Sequence, residues 1–135
     1  MIHNPVKVTL DTSLFTAIHE IIVNKISGVC IVGNNDKLLG VLSEMDCLSA
    51  ILSATYNESS VGTVGEFMTS ELDVAEASED IVSVATEMLK KNQRRRPVVE
   101  NGKLIGQITC RQLLRAVKEF AVPADPTEHR GSDNS

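Results

Sequence analysis

Ser43 and Asp46 stand three residues apart, where an apolar strand-like run, Gly40-Val41-Leu42, gives way to a helical apolar pattern. A hydroxyl at such a corner lies beside backbone N–H groups that a helix start leaves unpaired, which suits a phosphate. A carboxylate three residues on can accept hydrogen bonds from a vicinal diol such as a ribose. Plain helix capping uses the same residue types and the same donors, so the two readings coexist. The corner recurs at Gly106-Gln107-Ile108-Thr109-Cys110-Arg111-Gln112, where Thr109 keeps the hydroxyl and Gln112 replaces the carboxylate. Ribose-phosphate chemistry is therefore carried by the first copy alone.

Other chemistry finds little footing. His19-Glu20 opens like an HExxH metal helix, but Val23 stands where the second ligand belongs, so no metal is expected. Cys30, Cys47 and Cys110 are odd in number and far apart, which indicates neither a disulfide framework nor a zinc site and fits a reducing cytoplasm. No paired carboxylates or activated nucleophile occur at a usable spacing, so catalysis is not expected. The formal charge of −5, with one Tyr and three Phe, argues against nucleic acid or an anionic membrane as partner. Arg94-Arg95-Arg96 is the local exception. No apolar run reaches the roughly 18 to 20 residues of a membrane helix.

The elements that must position the corner follow from hydrophobic period. Val6, Val8 and Leu10 alternate as a half-buried strand, Asp11-Thr12-Ser13 offers N-caps, and Leu14, Ile18, Ile21, Ile22 and Ile26 give one helical face that Gly28 ends. Val29 to Val32 and Lys37 to Leu42 make a hairpin about Gly33-Asn34-Asn35-Asp36, and a second helix runs out near Tyr56. The order is β-α-β-β-α.

The same order then repeats. A shift of 67 carries Leu14 onto Ile81, Ile21 onto Met88, Cys30 onto Pro97 and Val32 onto Val99. After a turn shorter by one residue, a shift of 66 carries Gly40 onto Gly106, Ser43 onto Thr109 and Asp46 onto Gln112. An α/β (α+β) fold is expected, with two β-α-β-β-α units packed about a pseudo-twofold axis and clefts where their sheets meet. Its expected divisions are repeat 1 over residues 1–56, a linker over 57–67, repeat 2 over 68–121 and a disordered polar tail over 122–135.

Asp11-Thr12-Ser13-Leu14, Ser78-Glu79-Asp80-Ile81, Pro97-Val98-Val99, Asn101 to Gly106 and above all the Gly-x-x-Ser-x-x-Asp of Gly40 to Asp46 resemble a tandem pair of CBS domains, the Bateman module, over roughly residues 1–121. The resemblance implies interfacial clefts for adenosyl ligands, an Asp on the ribose hydroxyls, a Ser or Thr near the phosphates, frequent dimerisation and no chemistry of its own. In nucleotide-binding members such as the γ subunit of AMP-activated protein kinase, a basic residue two before the Pro of the second repeat and another two after its Thr reach the phosphates. Those positions are Arg95 and Arg111 here. Around Thr109 the crossing positions are Gly28 and Met45, with Glu44 beside them, so that corner is expected to be degenerate. Cys30 departs from the family, which usually has Pro there. Nothing before Met1 corresponds to Thr63-Val64-Gly65-Glu66-Phe67, so the chain either begins short or is cut from something larger.

The resulting expectation is a cytoplasmic regulatory module that needs no cofactor. It would bind AMP, ADP or ATP as a regulatory ligand through Ser43, Asp46, Arg95 and Arg111, with Thr109 at the opposite corner and the adenine against Val8 and Pro97. It would act as a homodimer on a partner protein or domain. The alternatives are a ligand-free dimerisation scaffold, in which Ser43 and Asp46 only cap, and an S-adenosylmethionine sensor, which would leave the arginines without a phosphate.

Overall fold

The computed structural model describes residues 4–56 and 62–121, so the tail expected to be disordered, and most of the expected linker's first half, lie outside the described residues. The first half comprises β1 (Lys7–Val8), α1 (Leu14–Asn24), β2 (Gly28–Val32), β3 (Leu38–Ser43) and α2 (Glu44–Tyr56). After a short helix α3 (Val64–Phe67), the second comprises β4 (Ala75–Glu76), α4 (Ile81–Lys90), β5 (Arg95–Glu100), β6 (Lys103–Thr109) and α5 (Cys110–Ala121). Each half builds one three-stranded sheet, β1-β2-β3 or β4-β5-β6, from a parallel outer strand and an antiparallel hairpin. The expected order is present in both. Even the ladder irregularities correspond: the register shifts between Ile31 and Val32 and between Val98 and Val99, positions 67 residues apart.

Local chemistry trims the expected elements. The first strand stops at Val8 because Thr9 turns the chain: its hydroxyl donates to Asp11 at 2.7 Å and its carbonyl accepts from the Thr12 N–H at 3.1 Å. Such side-chain bonds compete with the ladder. Helix α1 ends at Lys25 in the left-handed region, φ 53°, with its N–H returned to the last turn, rather than at Gly28. Gly28 instead opens β2, where a Cβ would lie 2.8 Å from the Leu42 carbonyl oxygen.

Leu14, Ala17, Ile21, Val29, Ile31, Leu42, Cys47 and Ala50 form the first core, and Ala75, Val84, Met88, Val98, Ile108 and Leu113 the second. A third cluster joins the halves: Cys30 and Val32 of β2 pack with Leu104 of β6. The Leu38 N–H donates across to the Gly102 carbonyl at 3.1 Å.

The expected linker is more than a connection. Val64 is fully buried in the first core, with its N–H on the Thr12 carbonyl at 2.9 Å and the Gly65 N–H on that of Leu10 at 3.1 Å. Thr69 then pairs with Val41 through two backbone hydrogen bonds of 2.8 and 3.0 Å. The chain thus stays on the first repeat through Thr69, beyond the boundary expected at 67, because Val64 and the open edge of β3 hold it there. This approach needs glycine at position 40, since a Cβ would meet Met68 Sδ at 2.7 Å and the Thr69 carbonyl oxygen at 2.8 Å.

Cys30 and Cys47 are buried and Cys110 is exposed. Burial pushes the Cys30 thiol up to about 11, against a smaller opposing pull from Arg95. Burial also raises Cys47, with the charges of Asp46 and Glu44 adding to it.

Two outcomes follow. Gly40→Ala should lower unfolding free energy by about 1 to 3 kcal/mol in urea melts, the range for overpacking; an unchanged midpoint would mean the segment is not held as described. Because the thiolate is the nucleophile, maleimide at near-neutral pH should label the folded chain at Cys110 only and all three cysteines in denaturant. Prompt labelling of Cys30 in the folded chain would contradict its burial.

Candidate ligand cleft between the repeats

Ser43 ends β3 and Asp46 lies in the first turn of α2. Their bonds are reciprocal: the Asp46 N–H donates to Ser43 Oγ and the Ser43 N–H to Asp46 Oδ2, both at 3.0 Å. This is a capping box, so both residues have a full structural job. Thr69 Oγ1 also donates to Asp46 Oδ2 at 3.3 Å. Asp46 Oδ1 takes no hydrogen bond from the described residues, which leaves the carboxylate able to accept another donor. At the second corner the Thr109 N–H donates to Gln112 Oε1 at 3.1 Å and the Gln112 N–H to Thr109 Oγ1 at 3.3 Å. Glutamine preserves the cap and removes the anionic acceptor.

Facing the first corner is a cleft of about 380 Å³, and both repeats wall it. The first supplies Ser27 to Cys30, Val41 to Ser43 and Asp46; the crossing segment supplies Thr69 and Glu71 to Asp73; the second supplies Gln93 to Arg95, Pro97 and Gln107. Of the residues expected at a site, Ser43, Asp46, Arg95 and Pro97 come together here. Val8, Thr109 and Arg111 do not line this cleft. Val8 packs against the first core, Thr109 is engaged in its own capping box, and Arg111 lies exposed on the first turn of α5. Gly28, assigned in sequence to the degenerate corner, lines this cleft instead. Arg95 and Cys30 line the same cleft, and the Arg95 charge works against the burial that raises the Cys30 thiol.

Arg96 behaves unlike its neighbours in the basic run. Its side chain is 2% exposed, with Nη1 3.4 Å from Glu87 Oε1 and with Nε and Nη2 on Gln93 Oε1 at 3.2 and 2.6 Å. Gln93 Nε2 in turn donates to Asp73 Oδ2 at 2.7 Å, and Lys91 Nζ contacts Asp73 Oδ1 at 2.5 Å. The hydrogen bonds from Lys91 and Gln93 hold the Asp73 carboxyl below the usual carboxylate range. Sequence reasoning missed the crossing segment, which carries no periodicity. The shift of 67 did contain a pointer to the Ser27–Cys30 wall, because it maps that stretch onto Arg94–Pro97.

No helix among the described residues is long and apolar enough to cross a membrane, and no three described His, Cys, Asp or Glu side chains are grouped to hold a metal ion.

Among curated relatives, an inosine-5'-monophosphate dehydrogenase of Aquifex aeolicus is 33% identical over an alignment of 120 residues that covers 87% of this chain and 24% of that enzyme. The chain spans 43% and 22% of two further relatives. Among solved structures, CBSX2 of Arabidopsis thaliana in complex with AMP is 30% identical, with a TM-score of 0.74 over 87% of this chain and 88% of that one. The CBS domain pair of protein MJ0100, in complex with 5'-methylthioadenosine and S-adenosyl-L-methionine, is 25% identical, with a TM-score of 0.70 over 84% of this chain and 91% of that one. The CBS domain profile matches residues 1–53 and 64–119, one match on each half of the fold. With two β-α-β-β-α repeats and a family match on each, the chain belongs to the CBS domain family and is a tandem CBS pair.

Proposed function

We propose that this CBS pair is a regulatory module that binds an adenine nucleotide in the cleft and passes its occupancy to a partner. The observation that carries the reading is the meeting of Ser43 and Asp46 of the first repeat with Arg95 and Pro97 of the second in one cleft. Asp46 Oδ1 offers an acceptor to ribose hydroxyls. Arg95, with Arg94 beside it, offers a fork of donors to phosphate oxygens, and the start of α2 adds its dipole. Val29, Val41, Leu72 and Pro97 give the base apolar walls. The AMP complex of CBSX2 supports the ligand class. S-adenosylmethionine would leave both arginines without an anion.

Dimerisation belongs to the same reading. Exposed apolar side chains recur at equivalent places, Phe15 and Val82, Ile22 and Leu89, Leu48 and Leu114, which suits a face shared with a second copy. The completed capping box favours the scaffold alternative, because Ser43 and Asp46 need no ligand to explain them.

Thermal and urea unfolding with AMP, ADP, ATP and S-adenosylmethionine separates the two. A bound nucleotide should add about 2.7 kcal/mol at a hundredfold excess over its dissociation constant. Asp46→Ala should cost about 1 kcal/mol without ligand, from the cap, and also lose the ligand shift. Arg95→Ala should lose the shift for phosphate-bearing ligands. Absence of any shift in the native chain at millimolar ligand would leave the scaffold.

A further inference from the structure

The first repeat builds its half of the fold with Val6, Ile26 and Val29 at the positions that Asp73, Gln93 and Arg96 occupy in the second. The fold therefore does not require the polar set. Burying a guanidinium where valine serves is costly unless its partners are in place, and such networks are weak evidence of added stability. Asp73 and Gln93 of the polar set belong to the cleft wall, where a ligand can reach them.

The arrangement is directional. Two N–H groups of Arg96 converge on Gln93 Oε1, so the Gln93 amide cannot turn without setting its NH2 against a guanidinium. Its NH2 is thereby aimed at Asp73 Oδ2. Lys91 fixes the other oxygen. An ionised carboxylate has about four acceptor positions, and Asp73 spends one on each oxygen here, so it can accept further donors but donate none. A ligand group beside it must carry N–H or O–H; a carbonyl there would face lone pairs.

Resting on the nucleotide reading above, we propose that Asp73 is the base-selecting residue of the cleft, favouring a purine that presents an exocyclic amine, and that Gln93 and Arg96 are its positioning residues. Ser43 and Asp46 cannot serve this end, since ribose and phosphate are common to every nucleotide. Asp73 is held by a donor on each of its oxygens, whereas the Ser43 N–H and the Thr69 hydroxyl both meet Asp46 on Oδ2.

The test is calorimetric titration of the full chain with AMP and with purine riboside 5'-monophosphate, which differs by the missing 6-amino group. A site that bonds a ligand N–H discriminates strongly against its absence when buried. With the Asp73 side chain 38% exposed, the preference for AMP should be nearer about tenfold, since solvent competes for the same bond. Asp73→Val, the residue of the first repeat, should bring the two affinities together by weakening AMP alone. Asp73→Asn, which keeps the size and loses the fixed charge, should also reduce the ratio. Arg96→Met should lower the ratio without changing affinity for the unsubstituted analogue. Equal affinities in the native chain, or an Asp73→Val variant that weakens both ligands alike, would overturn the assignment while leaving the nucleotide reading intact. No binding of either ligand would remove both.

Discussion

A repeat of this size buries little apolar surface on its own, and the contact that adds to that burial also creates the cleft. Here Cys30 and Val32 of one sheet close against Leu104 of the other, while the chain leaving the first repeat lies along β3 through Val41 and Thr69. The corner at Ser43 thereby takes part of its surroundings from the opposite half. The cleft is a by-product of shared burial, which is why its walls alternate between repeats.

That constraint explains why capping and recognition do not compete as explanations. A helix that starts at an interface needs its first N–H groups satisfied. The reciprocal bonds of Ser43 with Asp46 and of Thr109 with Gln112 do this equally in both repeats. Since the amide caps as the carboxylate does, the difference between Asp46 and Gln112 leaves both caps complete, the carboxylate adding only its attraction to the positive end of α2. It acts on whatever enters from outside the capping box.

Much of this was legible because it is local or repeated. The helix faces, hairpins and corner residues follow from period and turn chemistry, and the shift of 67 reproduces even the ladder irregularities. What sequence could not reach depended on distance. The resemblance already assigned Arg95 to the cleft, but nothing local distinguished Arg96, which strand alternation sends into the protein, where Glu87 and Gln93 receive it. Residues 69–73 have no pattern at all, and their place is set by the edge of β3 behind them and by Lys91 and Gln93 ahead. Val8 alternates correctly as a strand residue but faces its own core, a choice between two buried sides that period alone cannot make.

The way a ligand in this cleft could act follows from what is already fixed. Within each repeat the corner side chains are held by their caps, so occupancy has little left to order there. Between repeats, the ties among the described residues are an apolar cluster, a few backbone bonds, and a crossing segment fastened at Thr69 to the first half and at Asp73 to the second. A molecule touching Asp46 on one side and Arg95 on the other adds to this set. It shifts the relation between repeats by no more than the difference in its affinity for their arrangements. On the proposed reading, a signal would leave the module as a change in how its two halves sit.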